Sequence, residues 1–243
     1  MQKILLALSN VFLFLHATAQ SPRYVYQSEP DEALSVRNIH PWNSKNVVDY
    51  SGIYHFGDSE WEWDLVVSAN ESVIVFQSFS NKWGKTDIDE KETWLKNSRV
   101  FKNAKITGNR FVTDSLNGYF MVYKEDTAVS YGIILTERAD KLDTVEFGGR
   151  INITTDNFFD GDYPQLSQKV LDDSFFANKT KDQLQIMRNE VYAGYGMRFT
   201  KGGKMYNWFM QKNWYRPWRD ITDSCFTEIE TKNIAKILRF EKM

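Results

Sequence analysis

Residues 50–79 read YSGIYHFGDSEWEWDLVVSANESVIVFQSF, and this stretch decides the fold of the N-terminal half. Three short runs rich in Val, Ile and aromatics follow one another: Ser51 to Phe56, Trp61 to Ser68 and Ser72 to Phe79. Gly57-Asp58 and Ala69-Asn70 punctuate them. Such runs at short spacing predict strands joined by tight turns. The series continues with Asn97 to Ile106, Arg110 to Thr113, Gly118 to Tyr123 and Ser130 to Leu135, with turn signals at Gly108-Asn109 and Asn117-Gly118. No helical crossover separates the runs, so the pattern predicts an antiparallel meander, sandwich or small barrel over 50–155. Trp61 and Trp63 flank Glu62 and, as strand residues, would turn both rings to one side, into the core or, at a barrel mouth, along an apolar pocket.

Downstream the period changes. Residues 156–169 read as a linker. From there Leu184, Met187, Val191 and Tyr195 recur at helical spacing. Thr180 and Gln183 form a capping-box pattern before them, and Gly196 suits the left-handed residue that ends a helix. Further helices fit Gly203 to Gln211 and Asp223 to Phe240. The fold class is therefore α+β: an antiparallel β-domain followed by a small module of three to four helices over 170–243.

Upstream, residues 20–49 are polar and read as a leader. The first nineteen residues combine a basic start at Lys3, an apolar run from Ile4 to Leu15 and the A-x-A site Ala17-Thr18-Ala19. This is the pattern of a secretory signal peptide cleaved near Ala19. A run of twelve residues is too short to span a bilayer, which takes about 20. No later run reaches that length, so the mature chain is expected to be extracytoplasmic without a transmembrane segment.

The chain has 243 residues, a formal charge of −2 and one cysteine, Cys225. One cysteine excludes an internal disulfide and a thiolate zinc cage. The near-neutral total hides a division. Residues 20–164 carry 15 basic and 23 acidic residues, net −8, whereas residues 165–243 carry 14 and 9, net +5. Secretion and a modest +5 argue against nucleic acid as partner.

The stretch Leu184-Gln185-Ile186-Met187-Arg188-Asn189-Glu190-Val191-Tyr192-Ala193 resembles the core of the YARHG domain, a small bacterial extracytoplasmic module. Phe199, Tyr206, Trp208 and Phe209 fit its aromatic middle. Trp214-Tyr215-Arg216-Pro217 fits its turn, and Glu228, Glu230, Lys232, Asn233 and Ile234 fit its last helix. The resemblance covers roughly residues 170–240. The motif's Arg and His are here Gly194 and Tyr195. The resemblance implies location and fold rather than a defined activity.

Candidate binding residues follow from two clusters. Arg188-Asn189-Glu190, with Tyr192, offer a polar site for an anionic or sugar group. The alternative is that Arg188 pairs with an acid on the last helix. Trp214, Tyr215, Arg216, Trp218 and Arg219 alternate rings with bases, a surface able to stack on sugar rings and pair with phosphates. Asp156, Asn157, Asp160 and Asp162 surround Gly161 but do not match a calcium loop. Asp114-Ser115-Leu116, Asp126-Thr127-Ala128 and Asp143-Thr144-Val145 resemble an O-glycosylation motif. No nucleophile elbow, zincin motif or Walker loop occurs. The sequence thus predicts no metal, cofactor or catalytic residue, and a non-catalytic binding or interaction protein of the envelope. Its partner would be an anionic envelope polymer or another envelope protein. The alternatives are an envelope hydrolase of unrecognised type and a purely structural protein.

Overall fold

A computed structural model describes residues 24–27, 29–70, 72–88, 91–136, 144–152 and 158–243. The expected signal peptide, the glycosylation-like Asp143 and the acidic-turn residues Asp156 and Asn157 lie outside the described residues. The architecture is α+β, a large β-sheet followed by helices.

The main strands are β4 (Gly52–Phe56), β5 (Trp63–Ala69), β6 (Ile74–Lys85), β7 (Glu92–Phe101), β8 (Lys105–Thr107), β9 (Arg110–Val112), β10 (Asn117–Glu125), β11 (Ala128–Leu135) and β12 (Thr144–Ile151). Among the described residues these nine form one continuous path in the order β7-β6-β5-β4-β12-β11-β10-β9-β8. Neighbours on this path are antiparallel. Three further strands come from the stretch read as a polar leader: β1 (Tyr24–Gln27), β2 (Glu29–Leu34) and β3 (Ile39–Pro41). β1 pairs with β12 in parallel, and β3 with β10. Val25 of β1 is fully buried against Phe147 and Val145, which explains how a polar segment joins the sheet.

The sheet curls so that strands far apart in order share one core. Phe76 of β6 stacks on Phe111 of β9 with ring centroids 4.6 Å apart, and Tyr50 stacks on Phe120 of β10 at 4.2 Å. Tyr50, Tyr54, Phe56, Phe76, Phe111 and Phe120 are all buried there, so the interior is filled with rings. Glycine makes room for them: a Cβ added at Gly148 would collide with the Phe56 ring. Trp63 is half-buried and stacks on Phe56 at 4.4 Å. Trp61 departs from the expectation. It sits in a 3-10 turn rather than a strand and is 87% exposed.

The second difference is the length of β6 and β7. Residues 80–96 fall between the expected strands, yet the ladder runs unbroken from Phe76↔Phe101 to Lys85↔Glu92. Leu95 gives this ribbon a buried anchor.

The helices described after the sheet are α1 (Gln165–Gln168), α2 (Asp173–Ala177), α3 (Lys181–Gly194), α4 (Lys204–Phe209) and α5 (Glu228–Glu241). Thr180 and Gln183 form the expected capping box on α3. Gly196 has a φ of 78° just beyond it, and a Cβ there would strike the Trp218 indole. The last helix begins later than its periodicity suggests. Asp223–Cys225 is a 3-10 turn, and a second capping box, Thr227 with Glu230, starts α5 at Glu228. Leu184, Met187, Val191, Ile234 and Ile237 join in one core.

Candidate functional site

The helical module meets the sheet along β6 and β7. Val73 and Val75 pack on Ile229 of α5. Beside them the Tyr195 hydroxyl donates to Glu230 Oε2 at 2.7 Å and accepts from Gln77 Nε2 at 2.6 Å. All three side chains are buried. Tyr195 stands at the motif's His position and reaches across the seam into β6. Glu230 also accepts from Ser167 Oγ, the Thr227 amide and Thr227 Oγ1. Burial, the largest effect, raises its carboxyl above the ordinary range despite these donors. The same desolvation raises the Tyr195 phenol well above its usual value. Farther along, Arg198 pairs with Asp87 of the β6–β7 turn, whose amide donates to Pro217 O at 2.9 Å. Asp87–Arg198 and Asp162–Lys212 are points where the acidic stretch meets the basic one.

Next to Tyr195 is a small cavity of about 40 Å³. Lys96, Ser167, Glu190, Tyr195 and Glu230 are among its lining residues. Glu190 is 4% exposed. Its Oε1 accepts the Tyr163 amide at 2.6 Å, while its Oε2 is buried without a hydrogen-bond partner. Burial raises this carboxyl to about 7, against two backbone donors that lower it. Lys96 lies over the Phe79 and Phe158 rings at 5.0 and 4.9 Å, donates to Phe158 O, and pairs with Asp160 at 3.7 Å. Desolvation lowers its pKa. Three carboxylates, Asp160, Glu190 and Glu230, thus line one cavity. Its volume suits a few water molecules rather than a sugar ring, since one water needs about 10–15 Å³. Among the described residues no group of three or more metal-ligating side chains occurs.

A second concavity, about 350 Å³ and open to solvent, lies between α3 and α4. Gln185, Arg188, Asn189, Phe199, Lys204 and Tyr206 line it. Arg188 and Asn189 therefore come together on one wall. Arg188 Nε also pairs with Glu241 Oε1 of α5 at 3.1 Å, so its charge is partly satisfied within the module. Asn189 Nδ2 donates to Gln185 O at 2.7 Å. Lys204 Nζ contacts Asp182 and Gln185.

The other candidates sit elsewhere. Tyr192 meets Phe226 edge to face at 4.8 Å, inside the helical core. Tyr215 is buried, its hydroxyl donating to Met197 O at 2.7 Å, and burial pushes its phenol up to about 12. Trp214 packs half-buried on Phe209 and Tyr215. Arg216 is exposed, with Nη1 on the Asn213 and Tyr215 carbonyls. Trp218 lies under Lys82 of β6 at 3.9 Å, and Arg219 Nε donates to Tyr195 O at 2.8 Å. The ring-and-base stretch is thus divided between the module's core and the seam. In the acidic turn, Asp160 and Asp162 are taken by Lys96 and Lys212.

A compact set of helices with a capped α3, a Trp-Tyr-Arg-Pro turn and a buried Glu230–Asn233 face on α5 defines the class of module. Residues 161–242 match the YARHG domain. The match begins nine residues before the expected start and takes in Asp162, Tyr163 and α1, which contact Glu190 and α5. The YARHG domain is extracytoplasmic and of unclear function, and it fits an envelope protein. No curated protein and no solved structure matches the chain. No helix among the described residues is long and apolar enough to cross a membrane.

Proposed function

We propose that this is a secreted or periplasmic, non-catalytic binding protein of the bacterial envelope, and that its helical module binds through the groove between α3 and α4. The observation that carries the reading is the convergence of Arg188, Asn189, Lys204 and Tyr206 on one open concavity. Two cationic side chains, an amide and a phenol hydroxyl suit an anionic or hydroxyl-rich polymer segment. The charged pairs Arg188–Glu241 and Lys204–Asp182 can exchange partners at modest cost, because both are at least partly solvated. The rest of the ring-and-base stretch supports the groove indirectly by fixing the loop after α4.

The test is retention on purified anionic cell-wall polymer at low ionic strength, where such attraction is strongest. Wild type is expected to be retained and released by salt. Lys204→Glu with Asn189→Ala should lower retention without unfolding the protein, since Lys204 is exposed and Asn189 is half-buried at the groove wall. Absence of retention by wild type at low salt sinks the reading.

A further inference from the structure

Trp83 and Trp94 stand directly opposite each other on β6 and β7. Their rings meet edge to face, with centroids 4.9 Å apart and planes at 73°. They remain 56% and 46% exposed. The neighbouring rung, Lys82 with Leu95, points to the opposite face because side chains alternate along a strand. On that side Leu95 is buried and Lys82 lies on Trp218. The ribbon is therefore held from behind and presents two indoles forward. Asp87, just beyond β6, is held too, by Arg198 and the Pro217 carbonyl.

The surroundings limit what can cover these rings. On the same face the rung before is Asn81 with Lys96, and the rung after is Lys85 with Glu92. Asn81, Lys85 and Glu92 are exposed. The apolar surface is thus two rings wide and bounded by polar groups. Covering the exposed half of each indole removes roughly 200 Å² in total, from 150–250 Å² per aromatic side chain. A stable protein interface needs about 800 Å² per partner. A protein would have to spread over the charged rungs, whereas a pyranose ring matches the available area. Residues 80–97 carry four Lys and four Asp or Glu, so the ribbon does not select for a polyanion.

We propose that the Trp83–Trp94 corner is a carbohydrate site that takes one hexopyranose ring of a neutral glycan. The ring's C–H face lies on one indole, and the other indole stands as a wall beside it. Sugar hydroxyls at the ring edge reach Asn81 on one side and Lys85 or Glu92 on the other. This site is separate from the α3–α4 groove and does not depend on it.

The test uses the full-length protein titrated with three probes, cellohexaose, maltohexaose and chitohexaose, followed by calorimetry and indole fluorescence. At least one probe should bind, and binding should survive about 0.5 M salt because no ion pair carries it. Trp83→Ala and Trp94→Ala should each weaken it roughly tenfold or more, the loss expected of a central aromatic anchor. Trp61→Ala, a lone exposed ring, should leave it unchanged. Trp94→Phe keeps a ring in the ladder and should retain partial binding, which separates loss of stacking from loss of fold. No binding of any probe overturns the proposal, as does equal binding by the Trp83→Ala/Trp94→Ala protein. Self-association that the same double substitution abolishes, with no sugar bound, would instead make the corner a contact between copies.

Discussion

Replacing Glu190 by Gln probes the seam through its pH dependence. In the folded protein the Glu190 carboxyl ionises near pH 7, because it is 4% exposed and one of its oxygens has no partner. In the unfolded chain it ionises at its ordinary value of 4.5. Below about pH 4.5 both states hold the proton and stability is at its full value. Between 4.5 and 7 only the unfolded chain releases the proton, so stability falls as pH rises. Above 7 the loss is complete. At about 1.4 kcal/mol per pH unit, that interval amounts to roughly 3 kcal/mol. A glutamine in its place has no proton to release and can still accept the Tyr163 amide. Lys96, Asp160, Asp162, Tyr163, Lys212 and Glu230 surround the same site in both proteins, so the comparison isolates the Glu190 carboxyl. Urea unfolding across about pH 4 to 8 should show Glu190→Gln gaining on wild type by about 2–3 kcal/mol toward the alkaline end. A difference that stays flat with pH, or that reverses, would refute the reasoning, because it would mean the native carboxylate is well solvated or paired.

Other substitutions test the packing. Tyr195→Phe removes the hydroxyl between Gln77 and Glu230 and should cost about 1–3 kcal/mol by chemical denaturation; a cost of a few tenths would show that the seam does not need this bridge. Asn233→Ala strips three hydrogen bonds that hold the Leu171 amide and the Leu166 and Lys169 carbonyls to α5, and should lower stability by at least about 2 kcal/mol. Gly148→Ala drives a methyl into Phe56 and should cost about 1–3 kcal/mol or prevent folding. Gly194→Ala meets open space at the end of α3 and should raise the melting temperature, in keeping with about 0.5–1 kcal/mol of helix propensity.

What the sequence shows and what it hides follows from the range of each interaction. Helix α3 was legible because its signals are local: Thr180 and Gln183 cap it, and Leu184, Met187 and Val191 repeat at its period. The start of α5 was equally written in Thr227 and Glu230, but the apolar Phe226 drew the expected helix upstream. The β6–β7 ribbon was hidden because its ladder holds a charged sequence in place through backbone pairing, with Leu95 as its buried anchor. The seam was illegible for a different reason. Gln77 and Tyr195 lie 118 residues apart, and nothing near either one announces the other. Arg188 and Asn189 were found as polar signature residues, yet only folding brings Lys204 and Tyr206 to the same groove. That Glu190 and Glu230 would line one cavity with Asp160 gave no local sign, since carboxylates are common on helices.

Strand β12 sets the order in which the protein can assemble. On one edge it pairs with β11; on the other it receives β1 and then β4 in succession. Among the described residues no other ladder on the main path links the β4–β7 half to the β8–β11 half. A chain growing from its N-terminus must therefore wait for residues 144–151 while β4 and β11 each carry an open edge. Such edges are templates for pairing with other chains, and closure across so long a span is slow. Nascent or truncated chains that stop before residue 144 should consequently be the aggregation-prone species, and the arrival of β12 is the event that commits the polypeptide to a soluble state.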